Sequence, residues 1–285
     1  AKPLGVFLAP RADNGLVQLQ ENGVASFRTP ESCADAVNAY LTWKTPGERP
    51  DTRTDTAAAV KTASRFPGNR LSEREAGELF AALGIRTADH RVVKSGSTTV
   101  DLPGPFAVKL LSPDILHKTD AGMVKLNVPR EEVGTQAQRM LDDANTRFPQ
   151  AQVEGVLVQQ MERGLAEVIV GYRRDPEIGP VVLLGMGGVA AELRKSIAVR
   201  VAPVTLDTAH GMIEEIRELE LLRGFRNLPR GDIDALAAAI RSMSMLANLD
   251  ARTVSDAEIN PLIVKEKGNG VVAVDGLVVF ESPNA

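Results

Sequence analysis

The sequence predicts an α+β protein with two lobes, and three observations carry this prediction. The chain has 285 residues, of which 44% are hydrophobic and 25% charged, as is ordinary for a protein with a substantial core. Only 4% of the residues are aromatic, so that core must consist mainly of aliphatic side chains. Candidate strands and helices intermingle without the regular strand–helix alternation of a parallel sheet, which favours α+β lobes over a single doubly wound sheet.

Composition also limits the class of function. The formal net charge is −4 and the isoelectric point about 5.6, which argues against nucleic acid as the main partner. Cys33 is the single cysteine, so no intramolecular disulfide can form. No apolar run approaches the roughly 20 residues of a membrane helix, and the N-terminal residues lack the pattern of a signal peptide. We therefore predict a cytoplasmic protein without a nucleic-acid or membrane partner.

The first 45 residues have the pattern of a fragment of an α/β domain. Residues 4–8 and 23–27 are short apolar runs typical of strands. Thr29 and Pro30 mark a helix start with proline at the first helical position, and the helix is expected to end near Trp43. Two strands and a helix are too few for a complete doubly wound domain, so the segment is predicted to be the end of one.

Residues 46–70 are polar and rich in Thr, Pro, Arg and Gly, which predicts a linker with one short helical run at 56–64. A second helix follows this linker. Ser72 and Glu75 have the spacing of a capping box, an apolar stripe lies behind them, and Gly84 is placed as a C-terminal cap.

The most informative stretch is the strand at 106–111 and the loop after it. Apolar residues alternate along this strand, and Lys109 lies in its middle, where an ammonium is costly to bury unless an anion meets it. The loop contains His117 and Lys118 and reaches Gly122, where a backbone can approach a ligand closely. This arrangement is typical of a site that grips polyphosphate. A surface hairpin with a lysine extended toward solvent is the alternative.

The rest of the chain continues the mixture of strands and helices. Strands are predicted at 87–93, 154–161, 166–173, 180–184 and 197–202, helices at 131–147, 207–219 and 231–247, and a terminal hairpin at 259–265 and 271–280.

Two polar residues in the terminal hairpin are candidate metal ligands. Asn260 and Asp275 lie on its two strands and can face each other across the ladder. An amide oxygen and a carboxylate are hard ligands suited to Mg²⁺, which usually completes its shell with water and phosphate. An ordinary solvated hairpin is the alternative, and the hairpin taken alone favours it.

Two further segments have a functional and a plain interpretation. One strand ends with Gln159, Gln160 and Met161, and the next begins near Glu167. The strand end could meet an adenine and the carboxylate a ribose. Equally, Glu167 could be an ordinary exposed residue. The glycines at 185–188 do not fit a dinucleotide-binding motif, and a tight turn explains them better.

Taken together, these segments resemble the ATP-grasp half of the ADP-forming acyl-CoA synthetases, relatives of the β subunit of succinyl-CoA synthetase. Seven segments match in family order: 106–120, 156–161, 167–171, 174–182, 185–188, 223–226 and 258–264. The resemblance implies a two-lobed ATP-grasp domain at 71–282. It also implies that residues 1–45 are the C-terminal fragment of a flavodoxin-like CoA-ligase domain, joined by a linker at 46–70.

The resemblance also implies a reaction, in which acid, CoA and ATP give acyl-CoA, ADP and phosphate through a phosphohistidine and an acyl phosphate. ATP and Mg²⁺ would be the cofactors. By position, the phosphates would be bound by Lys109 and Lys118, the adenine by Gln159, Gln160 and Met161, and the ribose by Glu167. The Mg²⁺ ligands would be Asn260, Asp275 and Glu192, and His117 would relay the phosphoryl group.

The chain departs from the family pattern at three positions. Ala121 stands where the family has a second glycine, Gln160 where Glu is common, and Gly276 where Ala is common. None of these changes removes an implied ligand. The implied partner is a CoA-binding domain or subunit that carries the phosphorylated histidine, and the oligomeric state, the acyl substrate and the choice between ATP and GTP stay open. The alternative function is a non-catalytic regulatory module of a protein acetyltransferase fusion.

Overall fold

The computed structural model describes residues 4–43, 56–95, 100–112, 114–115, 121–188, 196–224, 229–249 and 252–282. The chain divides into two compact units, residues 1–48 and 49–285. In the described parts of the chain, no helix combines the length and the hydrophobicity needed to cross a lipid bilayer.

The N-terminal unit is a small β-α-β-α arrangement. It contains β1 (Gly5–Phe7), α1 (Asp13–Glu21), β2 (Ala25–Phe27) and α2 (Pro30–Thr42), and the two strands pair in parallel. The predicted start of α2 is confirmed, because the Thr29 hydroxyl accepts a hydrogen bond from the Ser32 amide and Pro30 is the first helical residue.

Helix α1 is missing from the sequence prediction, which has only two strands and one helix here. Its residues include Gly15, and Leu16 alone is buried, so its apolar stripe is too weak to be read as a helix. Two adjacent parallel strands need a crossover connection, and α1 provides it.

The larger unit holds the remaining elements. In chain order these are α3 (Ala57–Ala63), α4 (Glu73–Ala82), β3 (His90–Val93), β4 (Phe106–Leu111), β5 (Val124–Val128), α5 (Val133–Arg147), β6 (Gly155–Gln160), β7 (Ala166–Asp175), β8 (Gly179–Met186), β9 (Ile197–Val201), α6 (Leu206–Glu215), α7 (Ile233–Ser244), β10 (Val254–Val264), β11 (Val271–Ala273) and β12 (Gly276–Phe280). The predicted α+β class is therefore confirmed.

Helix α3 corrects the extent of the predicted linker at 46–70. Ala59 and Ala63 are fully buried, and Phe66 belongs to the same core. Arg252 holds the residues after α3 in place, because its guanidinium donates hydrogen bonds to the carbonyls of Phe66 and Gly68. Residues 57–70 therefore pack as part of the larger unit. The small apolar side chains that drive this packing have the composition of a linker, which is why the sequence predicted one.

The first sheet of this unit, which we call the large sheet, is antiparallel. Its strand order is β11-β10-β7-β8-β9, and β12 pairs with β10 beside β11. One face packs against α3, α4, α6 and α7 in a continuous apolar core. The opposite face, which we call the open face, consists of the alternate residues of the same strands.

The second sheet, the small sheet, has the strand order β3-β6-β4-β5 and is also antiparallel. Phe106, Val108 and Leu110 of β4 pack with α5 in a core of their own, as their predicted alternation requires. Lys109 therefore projects from the other face of the strand, together with Gln159 of β6.

Helix α4 leads into the small sheet and has the predicted ends. The Ser72 amide donates to the Glu75 carboxylate at 2.9 Å, which completes the reciprocal side of the capping box. Gly84 has φ +84°, the left-handed conformation that ends a helix. Both predictions are confirmed.

Candidate functional site

The candidate site is a buried charge cluster around Lys109. The Lys109 side chain projects from β4, and the residue is 4% exposed. Its Nζ donates to Glu73 Oε1 at 2.7 Å and to the Val274 carbonyl at 3.1 Å, and it lies 3.7 Å from Asp275 Oδ2. The anionic partner that the sequence requires for this lysine is therefore supplied by two carboxylates of the protein itself.

The cluster keeps Lys109 charged. Burial by itself would lower the pKa of the ammonium, but attraction to Glu73 and then to Asp275 outweighs it, and the net pKa is raised. A buried ammonium held by two carboxylates can exchange one of its contacts for an anionic ligand without first taking up a proton.

Glu73 is a residue that the sequence prediction missed. An acidic residue in the first turn of a helix has an ordinary explanation, because it complements the helix dipole. Glu73 is nevertheless 8% exposed, and it lies three and seven residues before Ala76 and Phe80 of the buried stripe. A carboxylate on the buried stripe of an amphipathic helix was the available signal.

Gln159 also belongs to the cluster. Its side-chain Nε2 donates to the Val274 carbonyl at 2.9 Å, so this carbonyl accepts from both Gln159 and Lys109. Its Oε1 is buried and has no hydrogen-bond partner within the described part of the structure. A buried acceptor without a donor is unusual and suits a ligand that brings an N–H or O–H group.

Gln160 and Met161 do not join Gln159 in the cluster. Alternation along β6 places the Gln160 side chain on the opposite face of the sheet. The Gln160 backbone amide donates to the Asp89 carbonyl at 2.9 Å, and the Met161 backbone amide donates to the Pro105 carbonyl at 3.0 Å. Both backbone amides are thus engaged in hydrogen bonds within the small-sheet lobe.

Glu167 lies on the open face of β7, under the turn formed by residues 185–188. Its carbonyl accepts from the Gly187 amide at 2.8 Å, and a Cβ on Gly188, which has φ +68°, would lie 3.0 Å from Glu167 Oε2. The glycines therefore allow a tight turn whose backbone packs closely against Glu167, in agreement with the tight-turn interpretation.

Asn260 and Asp275 lie opposite each other, as predicted. The Asn260 backbone amide donates to the Asp275 backbone carbonyl at 3.2 Å. The predicted second arm of the hairpin is, however, two strands, and Val274 and Asp275 lie in the break between β11 and β12. This break turns the Val274 carbonyl toward Lys109, which explains why the cluster forms here.

Hard oxygen donors in the middle of β10, together with Asp275 beside it, fit a magnesium ion. The Asp275 side chain is 47% exposed, and Asn260 Nδ2 donates to Glu258 Oε1 at 3.0 Å, which places a second, unpredicted carboxylate nearby. No group of three or more His, Cys, Asp or Glu side chains that could hold a metal occurs among the described residues. A partial set of two carboxylates and an amide is nevertheless what Mg²⁺ commonly takes, with water and phosphate completing its shell.

Three of the predicted site residues, His117, Lys118 and Glu192, lie outside the described residues.

Gly276, where the family commonly has alanine, is explained by its neighbour Phe80. A Cβ on Gly276 would lie 2.4 Å from Phe80 Cε2 and 3.3 Å from the Glu258 carbonyl oxygen. We expect Gly276→Ala to lower the free energy of unfolding by about 1–3 kcal/mol, because Phe80 is buried and must shift. Urea unfolding measures this change.

The matched control for this prediction is the Phe80→Leu substitution. Alone it should destabilise the protein, but in the Gly276→Ala background it should recover part of the loss, because leucine leaves room for the added methyl group. Equal stability of the wild type and Gly276→Ala would contradict the steric explanation.

Comparison with known proteins identifies this architecture. A sequence profile described as an ATP-grasp domain matches residues 62–280. The chain is 38% identical over 209 residues to acetate–CoA ligase [ADP-forming] I of Archaeoglobus fulgidus, covering 72% of this chain and 30% of that protein. It is 36% identical over 215 residues to the β subunit of acetate–CoA ligase [ADP-forming] I of Pyrococcus furiosus, covering 74% of this chain and 91% of the subunit.

A solved structure agrees. Acetyl-coenzyme A synthetase 1 of Ca. Korarchaeum cryptofilum, in complex with coenzyme A and Mg-AMPPCP and with its phosphohistidine segment pointing towards the nucleotide binding site, is 28% identical to the chain. It matches with a TM-score of 0.64 over 80% of this chain and 100% of that one. Nothing in these comparisons supports the alternative of a regulatory module in an acetyltransferase fusion. The chain belongs to the ATP-grasp family of the ADP-forming acyl-CoA synthetases.

Proposed function

We propose that this chain is the portion of an ADP-forming acyl-CoA synthetase that binds ATP and Mg²⁺ and transfers the phosphoryl group. The overall reaction would convert acid, CoA and ATP into acyl-CoA, ADP and phosphate. The chain spans 30% of the single-chain relative from Archaeoglobus, so the complete reaction would require a CoA-binding domain, either in the same polypeptide or as a separate subunit. We refer to this partner as the CoA-binding domain.

The observation that carries the proposal is the buried cluster of Lys109, Glu73 and Asp275. An ammonium has three N–H donors, and Glu73 and the Val274 carbonyl accept two of them. A phosphate oxygen would compete with Asp275 for the third. Phosphoryl transfer depends mainly on positioning and on neutralising charge, and a rigidly held lysine provides both.

The other residues have roles that follow from their positions. Gln159 Oε1 would accept a hydrogen bond from a donor on the nucleotide, since it lacks a partner among the described residues. Asp275, Asn260 and Glu258 would hold Mg²⁺, which supplies charge neutralisation on the phosphates. The roles of Gln160, Met161 and Lys118 at the nucleotide, of Glu167 at the ribose and of Glu192 at the metal remain part of this proposal.

A binding measurement combined with a labelling measurement tests the proposal. Calorimetry should show binding of MgATP, and ATP labelled at the γ-phosphate should leave acid-labile phosphate on the chain if His117 relays the phosphoryl group, because a neutral imidazole is a competent acceptor. His117→Ala should then remove the label while sparing MgATP binding. His210→Ala is the control, since His210 is one of the other two histidines and lies on α6.

The outcomes separate two parts of the proposal. If the chain bound no nucleotide and took up no label, the assigned function would be wrong. If His117→Ala retained the label in full, His117 would not be the phosphoryl relay, although nucleotide binding would stand.

We further propose that residues 1–45 are the C-terminal end of a flavodoxin-like CoA-ligase domain that precedes an ATP-grasp domain. The parallel pairing of β1 and β2 with α1 between them supports this assignment, because such units are typical of α/β domains. The packing of α3 favours a start of the ATP-grasp domain near residue 57 rather than 71.

A further inference from the structure

The open face of the large sheet carries exposed apolar side chains on three neighbouring strands. On β9, Ile197, Val199 and Val201 are 59%, 48% and 50% exposed. Val181 and Leu183 of β8 and Ile169 of β7 lie on the same face and are only partly buried. We call these six residues the apolar patch.

The patch is continuous across the three strands. Val181 pairs with Val201 and Leu183 pairs with Val199. Gly171 of β7 lies beside Leu183, and a Cβ on Gly171 would be 2.8 Å from Leu183 Cγ. The glycine therefore lets the leucine lie across the neighbouring strand, which closes the gap between β7 and β8.

The pattern on β9 is the reverse of that expected for a strand with one solvent-exposed face. Arg200, its one charged residue, lies on the side covered by helices, where its guanidinium pairs with Glu215 of α6. Its exposed side carries β-branched apolar residues instead. Antiparallel sheets with one solvated face normally place polar residues there, so the apolar patch indicates a surface that another protein covers.

The position of the patch indicates which protein covers it. Glu258 pairs with Gly171, Gly171 with Leu183, and Leu183 with Val199, so these residues form one row across the open face. Three strand spacings place Val199 about 14 Å from Glu258, the candidate metal ligand. A protein seated on the apolar patch would thus lie directly beside the nucleotide site.

We propose that the apolar patch is the docking surface for the CoA-binding domain, an inference that rests on the proposed function. The single-chain relative is more than three times as long as the region matched here, and the Pyrococcus relative is one subunit of a larger enzyme. If this domain carries the phosphorylated histidine that the resemblance implies, it would have to approach the face that holds Glu258 to reach the nucleotide. Among the described residues, the apolar patch provides a contiguous apolar surface next to that approach.

Cysteine protection in the assembled enzyme tests the proposal directly. Cys33 is the single cysteine, so a Cys33→Ala background allows single cysteines to be placed by the substitutions Val199→Cys and, as the control, Leu221→Cys. Leu221 is 54% exposed and lies in the helical turn at 217–223, whose Leu219 and Leu222 pack in the core on the helix-covered face of the large sheet. Adding the CoA-binding domain should slow maleimide labelling of the Val199→Cys variant about tenfold and leave the Leu221→Cys variant unchanged.

A charge substitution provides the second measurement. Val199→Glu should weaken the affinity for the CoA-binding domain about 30-fold, because it places a charge in an apolar contact, while MgATP binding and thermal stability stay at wild-type values. Leu221→Glu should change neither.

Two outcomes would overturn the docking proposal while leaving the proposed function intact. One is a Val199→Cys variant that stays equally reactive in the assembled enzyme although the chain binds MgATP. The other is protection that increases with the concentration of this chain alone, which would assign the apolar patch to a second copy. Failure of the wild-type chain to bind MgATP would instead overturn the proposed function.

Discussion

Replacing Lys109 by methionine is expected to abolish MgATP binding and phosphoryl transfer and to destabilise the larger unit by about 3–5 kcal/mol. Methionine fills a similar volume but carries no charge, so Glu73, which lies 2.7 Å from Nζ and is 8% exposed, would be left as a buried carboxylate without its ammonium. Calorimetry with MgATP and chemical unfolding measure the two effects.

The double substitution Lys109→Met with Glu73→Gln separates stability from binding. Both charges of the buried pair are then absent, so we expect most of the lost stability to return, as it does when buried ion pairs are replaced as a unit. MgATP binding should not return, since the phosphate still lacks its cation. Recovery of binding in the double variant would show that Lys109 acts only on the fold.

Asp275→Asn is expected to have a large effect on activity and only a small effect on stability. The Asp275 side chain is 47% exposed and its carboxylate lies 3.7 Å from Lys109, a longer contact than that of Glu73. An amide is a poorer ligand for Mg²⁺ than a carboxylate. We expect phosphoryl transfer to fall about 100-fold at a fixed Mg²⁺ concentration and the midpoint of the Mg²⁺ titration to rise.

The control for Asp275→Asn is Asp256→Asn. Asp256 is another carboxylate of β10, its side chain is 50% exposed, and it contacts Arg173 at 3.8 Å rather than Lys109. This variant should keep the wild-type Mg²⁺ dependence. If both variants behaved alike, or if Asp275→Asn unfolded the protein without changing its Mg²⁺ titration, Asp275 would not be a metal ligand.

Sequence reasoning succeeded where a local pattern determines the structure. The alternation along β4 predicted a strand with Lys109 in its middle and an anion as the partner of its ammonium, and the structure shows both. The capping box at Ser72 and the facing pair Asn260 and Asp275 also follow from short-range spacing, and both are present.

Sequence reasoning failed where tertiary packing decides the outcome. Glu73 meets Lys109 across 36 residues of chain, and no local pattern reports such a contact. The break between β11 and β12 lies inside a run that reads as one strand, although it is what directs the Val274 carbonyl into the cluster. Helix α1 was missed because small and polar residues weaken the periodic signal, whereas α3 was predicted as a helical run but assigned to a linker, although it packs in the core.

The shared Val274 carbonyl has a consequence for nucleotide affinity. Lys109 and Gln159 belong to the small sheet, whereas Val274 lies between two strands of the large sheet and Glu73 lies on α4, which packs against that sheet. The contacts that form the site are therefore also contacts between the two lobes. A nucleotide that replaces one of these contacts loses the free energy of that contact from its own binding free energy. A variant in which the contacts between the lobes are stronger should therefore bind ATP less well.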